Sequence, residues 1–402
     1  MVVIIGAGIA GLTCAKYLKD KGIEALILEA SDAVGGRVRT DIIDGFKLDR
    51  GFQVFLTSYP EAQKLLNYKD LRFNELPSGA RIRNGDDFFV MPNPLKNLWT
   101  APQAVFSQVG SLFDKMKILQ LNSDTRNADE PNASKSGETT ISFLKNYGYS
   151  DAILDQFFKP FMGGVFLEED LKTDSSFFNF LYSMFAKGDV VVPAGGMQAI
   201  PEQIASQLSP DQIRLNTRVE KIDGKTIYLE NGETVEAEKI VIATDANAAA
   251  KLLGNEVKTQ FNGTVCLYFK SDKPLELAGE PYLIINSNTV ELINHILVIS
   301  DVAPNYAPQG KTLISVNLIG NKEFTETKVQ AELTKWLGNG YDWQHLKTFR
   351  IPEALPQFFV DSETENSLKI NENLYRCGDY TAYPSLNAAM KTGRKVAEMI
   401  MK

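Results

Sequence analysis

The sequence predicts an α/β fold in which a parallel-sheet unit is discontinuous, interrupted by a second, α+β unit of mixed sheet plus helices. Three observations predict it. An apolar run, Val2 to Ile5, passes straight into Gly6-Ala7-Gly8-Ile9-Ala10-Gly11; a second, Ala25 to Leu28, ends in Glu29; and near the far end Leu374-Tyr375-Arg376 leads through Gly378-Asp379 into a new helix opening near Leu386.

The first two observations form a βαβ unit of Rossmann type. Gly6 permits the tight turn, Gly8 lets the backbone approach a pyrophosphate, and Gly11 lets the helix pack close to its strand, while the helix N-terminus offers amides to phosphate. Glu29 lies 18 residues after Gly11, close to the ~20 expected for an acid that holds a ribose hydroxyl. Just downstream, Val34-Gly35-Gly36-Arg37-Val38-Arg39-Thr40 brings backbone and a guanidinium to the same diphosphate, which points to FAD rather than NAD. The alternative is an ordinary turn with a solvated arginine.

With these motifs, Gly45 to Gln53, Pro193-Ala194-Gly195-Gly196-Met197, Asn216-Thr217-Arg218-Val219 and Val241-Ile242-Ala243-Thr244, the sequence resembles the FAD-dependent superfamily of flavin amine oxidases, protoporphyrinogen oxidases and phytoene or carotenoid desaturases. The resemblance covers nearly the whole chain. It implies that Gly8, Ile9, Ala10 and Gly11 face the FAD diphosphate, Glu29 the adenosine ribose, and Gly36 and Arg37 the diphosphate and ribityl side. Val219 would present its backbone to the adenine, and Gly51, Phe52 and Gln53 would run beside the isoalloxazine. Gly378 and Asp379 would hold a diphosphate or ribityl oxygen, and the helix opening at Leu386 and Asn387 would aim its positive end at the flavin, favouring the charge of the reduced ring.

Motif positions assign residues 1–75, 190–255 and 365–402 to the FAD-binding unit and 76–189 and 256–364 to the substrate unit. In the latter, Val265 to Lys270, Tyr282 to Ile285, Ile296 to Ser300 and Thr312 to Leu318 read as strands. The polar stretch Asn122 to Gly137 reads as a loop. A net charge of −8 argues against a nucleic-acid partner. Cys14, Cys266 and Cys377 form no CxxC, and His295 and His345 lie far from them, reading as surface or loop histidines; no metal site is expected. With Met1 followed at once by a strand, and no apolar run near ~18 residues, a cytoplasmic protein is expected. Pro94 to Leu121 could lie at a membrane surface as an amphipathic helix, or pack over the substrate unit.

The aromatic run from Phe157 to Phe185 admits two readings. Phe161, Phe178 and Tyr182, with Tyr383, could line a tunnel for a long apolar substrate, or the spacing Phe177, Phe178, Leu181, Tyr182, Phe185 could mark a core helix. Amine oxidases of the resembled superfamily place a lysine near flavin N5 on the strand matching Gly263 to Leu267, and an aromatic cage at the C-terminal segment. Here no lysine precedes Lys270, and Ser385 stands at the cage-tyrosine position. The desaturase and protoporphyrinogen oxidase side is therefore implied: hydride transfer between an apolar, isoprenoid- or tetrapyrrole-like substrate and flavin, with oxygen, a quinone or another electron acceptor. No nucleophile or acid–base pair stands out, as expected where the cofactor carries the chemistry. The alternatives are an amine oxidase with a diverged cage, and a prenyl-binding protein like the Rab GDP-dissociation inhibitors, which share this fold.

Overall fold

The structure, a computed structural model, describes residues 1–92, 109–128, 130–256, 259–275, 277, 279–288, 290–360 and 367–402. A parallel sheet of five strands runs in the order Ile213–Arg214, Ala25–Leu28, Val2–Ile5, Lys239–Ile242, Leu374–Arg376. Its strands come from three distant stretches, joined because each apolar run is too short to bury itself alone. The central strand Val2–Ile5 is buried throughout. Strand order reverses there, making its carboxyl end the switch point at which such sheets bind ligands.

Helix Ile9–Lys19 leaves that point and packs on helix Leu386–Ile400. The contact needs glycine: a Cβ on Gly393 would lie 2.3 Å from the Ala10 carbonyl oxygen, while Gly11, whose Cβ would lie 2.1 Å from the Gly6 carbonyl oxygen, lets the first helix sit close to the turn that precedes it. A partly buried ion pair, Arg394 to both Glu61 oxygens at 2.7 and 2.8 Å, ties the C-terminal helix to helix Pro60–Leu65.

A second sheet of seven strands runs Gln344–Pro356, Phe261–Ser271, Thr312–Ile319, His295–Val298, Leu283–Asn286, Gly79–Asn84, Asp87–Pro92. All its pairs are antiparallel except Leu283–Asn286 with Gly79–Asn84. The strand expected to reach Ser300 stops at Val298, where helix Ile299–Val302 begins. Helices Lys159–Phe166 and Ser175–Lys187 face this sheet across a cavity.

A second expectation is corrected. The stretch read as a loop from Asn122 instead continues helix Leu112–Thr125, and Ala133–Ser136 forms a short helix. That longer helix starts at a capping box, with the Ser111 amide donating to Asp114 (2.8 Å) and the Asp114 amide to Ser111 Oγ (3.1 Å). The earlier part of the expected amphipathic segment, 94–108, lies outside the described residues. All three cysteines are buried free thiols, and no helix among the described residues is long and apolar enough to cross a membrane.

Candidate active site

One cavity of about 1420 Å³ extends from the switch point of the parallel sheet to the inner face of the seven-stranded sheet. It exceeds the ~300–1,000 Å³ of a single-ligand site, as room for a dinucleotide and a second molecule requires.

Its first half is a dinucleotide cradle. Gly6, Gly8, Ile9, Ala10, Glu29, Gly36 and Arg37 all line it. Gly6 turns the chain at φ +107°, and a Cβ on Gly8 would meet nothing within 4 Å, so the backbone there borders open space. No side chain caps helix Ile9–Lys19, leaving its first amides for a ligand. The Glu29 carboxylate is buried, accepting from the Ala7 amide (2.7 Å) and from the Ser31 amide and hydroxyl (2.9 and 2.6 Å). Val219 lines the adjoining wall with Thr217 and Arg218.

On the opposite side, Gly378, Asp379 and Leu386 line the cavity. Asp379 accepts two hydrogen bonds from Arg37, and the Gly378 amide donates to Thr392 Oγ1 at 3.1 Å. Gly51, Phe52 and Gln53 complete the middle, with Gln53 Nε2 donating to the Arg37 carbonyl at 3.0 Å. Open backbone at Gly8, uncapped amides, a buried carboxylate and an arginine together fit FAD: glycines and amides for diphosphate, Glu29 for a ribose.

The second half is apolar. A π-turn, Leu154–Phe158, precedes helix Lys159–Phe166 and sets Phe157 and Phe161 in a stack of 5.4 Å, with Phe185 5.7 Å from Phe161. Phe157, Phe161, Phe177, Leu181, Tyr182 and Phe185 line this half. Its sheet wall includes Thr264, Leu283, Ile285 and His295. Lys270, the first lysine on strand Phe261–Ser271, lies outside the cavity against Asp44 (3.6 Å).

Four expected site residues lie elsewhere. Gly11 is covered by the Gly6 carbonyl and serves helix packing only. Asn387 is fully buried, its Oδ1 accepting from the Glu61 amide (3.0 Å) and its Nδ2 donating to the Tyr383 hydroxyl (2.9 Å). Tyr383 packs behind the wall against Phe177 and Phe180, and Phe178 turns into the core against Phe143, Phe158 and Tyr182. Ser385 has a structural task, capping the C-terminal helix through the Ala388 amide (3.0 Å).

His295, expected in a loop or at the surface, instead sits on an inner strand, 5% exposed. Burial pulls its imidazole down to about 3, so it is neutral across ordinary pH.

The parallel sheet, its glycine turn and Glu29 define a dinucleotide-binding flavoprotein. Residues 9–401 match the family model "Flavin containing amine oxidoreductase". The chain belongs to this family, whose members bind FAD, and its class is that of the FAD-dependent oxidoreductases.

Coproporphyrinogen III oxidase of Bacillus subtilis (strain 168) is 24% identical over 422 residues, covering 89% of this chain and 87% of that protein. Protoporphyrinogen oxidase 2 of Arabidopsis thaliana is 24% identical, covering 54% of this chain. The 15-cis-phytoene desaturase of Capsicum annuum is 27% identical over 64% of this chain. The chain spans about half the length of these two plant relatives, 49% and 48%. Among solved structures, a candidate protoporphyrinogen oxidase from Exiguobacterium sp. 255-15 superposes with TM-score 0.77 at 16% identity, covering 99% and 98% of the two chains. A putrescine oxidase bound to putrescine gives 0.75 at 17% identity, covering 100% of this chain and 98% of that one.

Proposed function

We propose that this protein transfers a hydride between an apolar substrate, isoprenoid- or porphyrinogen-like, and FAD at N5. The observation that carries the reading is the single cavity that joins the dinucleotide cradle to the aromatic wall. When bound, the flavin supplies the redox chemistry. The chain's own residues orient and desolvate: the glycine turn and uncapped amides would hold the diphosphate, Glu29 the ribose, and Arg37 with Asp379 would fix the opposite side. Phe157, Phe161, Tyr182 and Phe185 would exclude water and gain ~25 cal/mol per Å² of apolar surface they bury. The electron acceptor would be oxygen, a quinone or another small oxidant.

The mouth of the cavity suggests how such a substrate enters. Leu112, Phe113, Met116 and Leu119 share one face of helix Leu112–Thr125 and are 61%, 64%, 61% and 46% exposed. Three of them, Leu112, Met116 and Leu119, also line the cavity. A lipid surface resting on this face would deliver an apolar substrate without passage through water.

Amine oxidation fits less well, because no lysine from strand Phe261–Ser271 lines the cavity and Ser385 caps a helix instead of contributing an aromatic ring. A prenyl-binding role without redox chemistry would leave the cradle without a purpose. The reading is tested by titrating FAD-loaded protein with an apolar isoprenoid and following the flavin spectrum. Perturbation that Phe161→Asn abolishes, with FAD retained, is expected; equal response in both proteins would overturn it.

A further inference from the structure

We propose that His295 is the hydrogen-bond acceptor by which the cavity holds an apolar substrate carrying an N–H or O–H donor. The inference rests on the apolar-substrate reading and narrows it: a pure hydrocarbon would leave this group unanswered.

The tautomer follows from the neighbours. Asn294 donates Nδ2–H to the Pro160 carbonyl at 3.3 Å, which turns its Oδ1 to His295 Nδ1 at 2.7 Å. An amide oxygen can only accept, so the ring proton sits on Nδ1 and Nε2 carries a bare lone pair. That nitrogen is buried and has no hydrogen-bond partner. Burial keeps the ring neutral, so Nε2 remains an acceptor at working pH.

The setting is built around the ring. His295 lines the cavity and meets the edge of Phe52 at 4.8 Å between centroids. Helix Lys159–Phe166 comes close at Gly164, where a Cβ would lie 2.9 Å from Asn294 Oδ1 and 3.1 Å from His295 Nδ1, so a side chain there would press on the pair. A buried acceptor with no partner carries a desolvation cost that an incoming donor recovers. A site of this kind discriminates strongly against an analogue lacking the donor, because the buried group is then left unpaired.

The donor could belong to the substrate or to the bound flavin ring, and one experiment separates them. FAD-loaded wild type, His295→Leu, His295→Gln and Asn294→Leu are titrated with geranylgeraniol and with its methyl ether, which lacks the O–H donor. Wild type is expected to favour the alcohol by about tenfold or more. His295→Leu should reduce the ratio to about one, and His295→Gln, which retains an acceptor, should restore part of it. Asn294→Leu leaves the ring in place but frees the proton to move to Nε2, and should also weaken the preference; it decides the matter if His295→Leu does not fold. A wild-type ratio near one, or a ratio unchanged in the leucine variants, overturns the proposal. So does a shifted flavin absorption in ligand-free His295→Leu with the alcohol preference intact, which would assign the acceptor to the flavin. If neither isoprenoid binds wild type, the apolar-substrate reading itself falls.

Discussion

Arg37 clasps the Asp379 carboxylate with two hydrogen bonds, of 2.7 and 2.8 Å, across 342 residues of sequence. The pair joins the arginine of the N-terminal motif to the turn that opens the C-terminal one, and both residues line the cavity. Asp379 is nearly buried while Arg37 is partly exposed, with side chains 9% and 37% accessible. Arg37→Ala would therefore strand a buried carboxylate beside the site. A hydrogen bond to a charged group contributes about 1.5–3 kcal/mol, and the exposure of Arg37 favours the lower end. FAD affinity should fall about tenfold or more, measured by equilibrium dialysis, with a smaller loss in Tm of the FAD-free protein. Equal affinity would show that the pair does not shape the cradle.

Gly8 and Gly11 sit three residues apart and should fail differently. A Cβ at Gly8 meets only open space, whereas one at Gly11 strikes the Gly6 carbonyl oxygen at 2.1 Å. Gly8→Leu is expected to fold normally and lose FAD; Gly11→Ala should lower stability by about 2 kcal/mol or more through overpacking. Circular dichroism melts and flavin absorbance of the purified variants distinguish the two failures.

Phe161 and Phe178 form a similar contrast. Phe161 lines the cavity and Phe178 is wholly buried in the core. Phe161→Asn should retain the fold and bound FAD while impairing reaction with an apolar substrate. Phe178→Ala should cost about 3–5 kcal/mol of stability. If thermal melts ranked the two variants the other way, the wall would have been misplaced.

Asp49 makes stability depend on pH. It is 2% exposed, with Oδ1 accepting from Thr40 Oγ1 (2.5 Å) and the Met197 amide (2.9 Å) and Oδ2 from the Tyr306 hydroxyl (3.0 Å). Burial outweighs these bonds and raises its carboxyl from 3.8 to about 6. The folded state therefore holds this proton more tightly than the unfolded chain, and stability falls as pH rises from about 4 to about 6. The full loss corresponds to roughly 3 kcal/mol and is constant above that window. Asp49→Asn should flatten this part of the profile; a Tm-against-pH curve with the wild-type slope would remove Asp49 as its source.

The cradle was legible in the sequence because its chemistry is local: a strand, a glycine turn and a helix are adjacent in the chain, and Glu29 follows at a fixed distance. The aromatic wall was only half legible. On helix Ser175–Lys187 both faces are apolar, so neighbours such as Phe177 and Phe178 differ by one 100° step, and only the packing of Phe143 and Phe158 decides which turns inward. Asn387 was misplaced for the same reason, one position along its helix from Leu386. His295 was missed because its burial depends on pairing with Asn317 and Ile285, contacts between strands that no spacing reveals. The start of helix Leu112–Thr125 did leave a signal, Ser111 three residues before Asp114, a readable capping pair.

The central claim, that FAD and an apolar reductant or oxidant share one cavity, is tested most directly by anaerobic flavin reduction. FAD-loaded protein is mixed without oxygen with porphyrinogens, isoprenoid carotenoid precursors, and mono- and polyamines, and the oxidised flavin absorbance is followed. Bleaching by an apolar compound, or reoxidation of pre-reduced flavin by one, with the amines inert, is the expected result. Rapid bleaching by a simple amine with every apolar compound inert would contradict it and assign the site to amine oxidation.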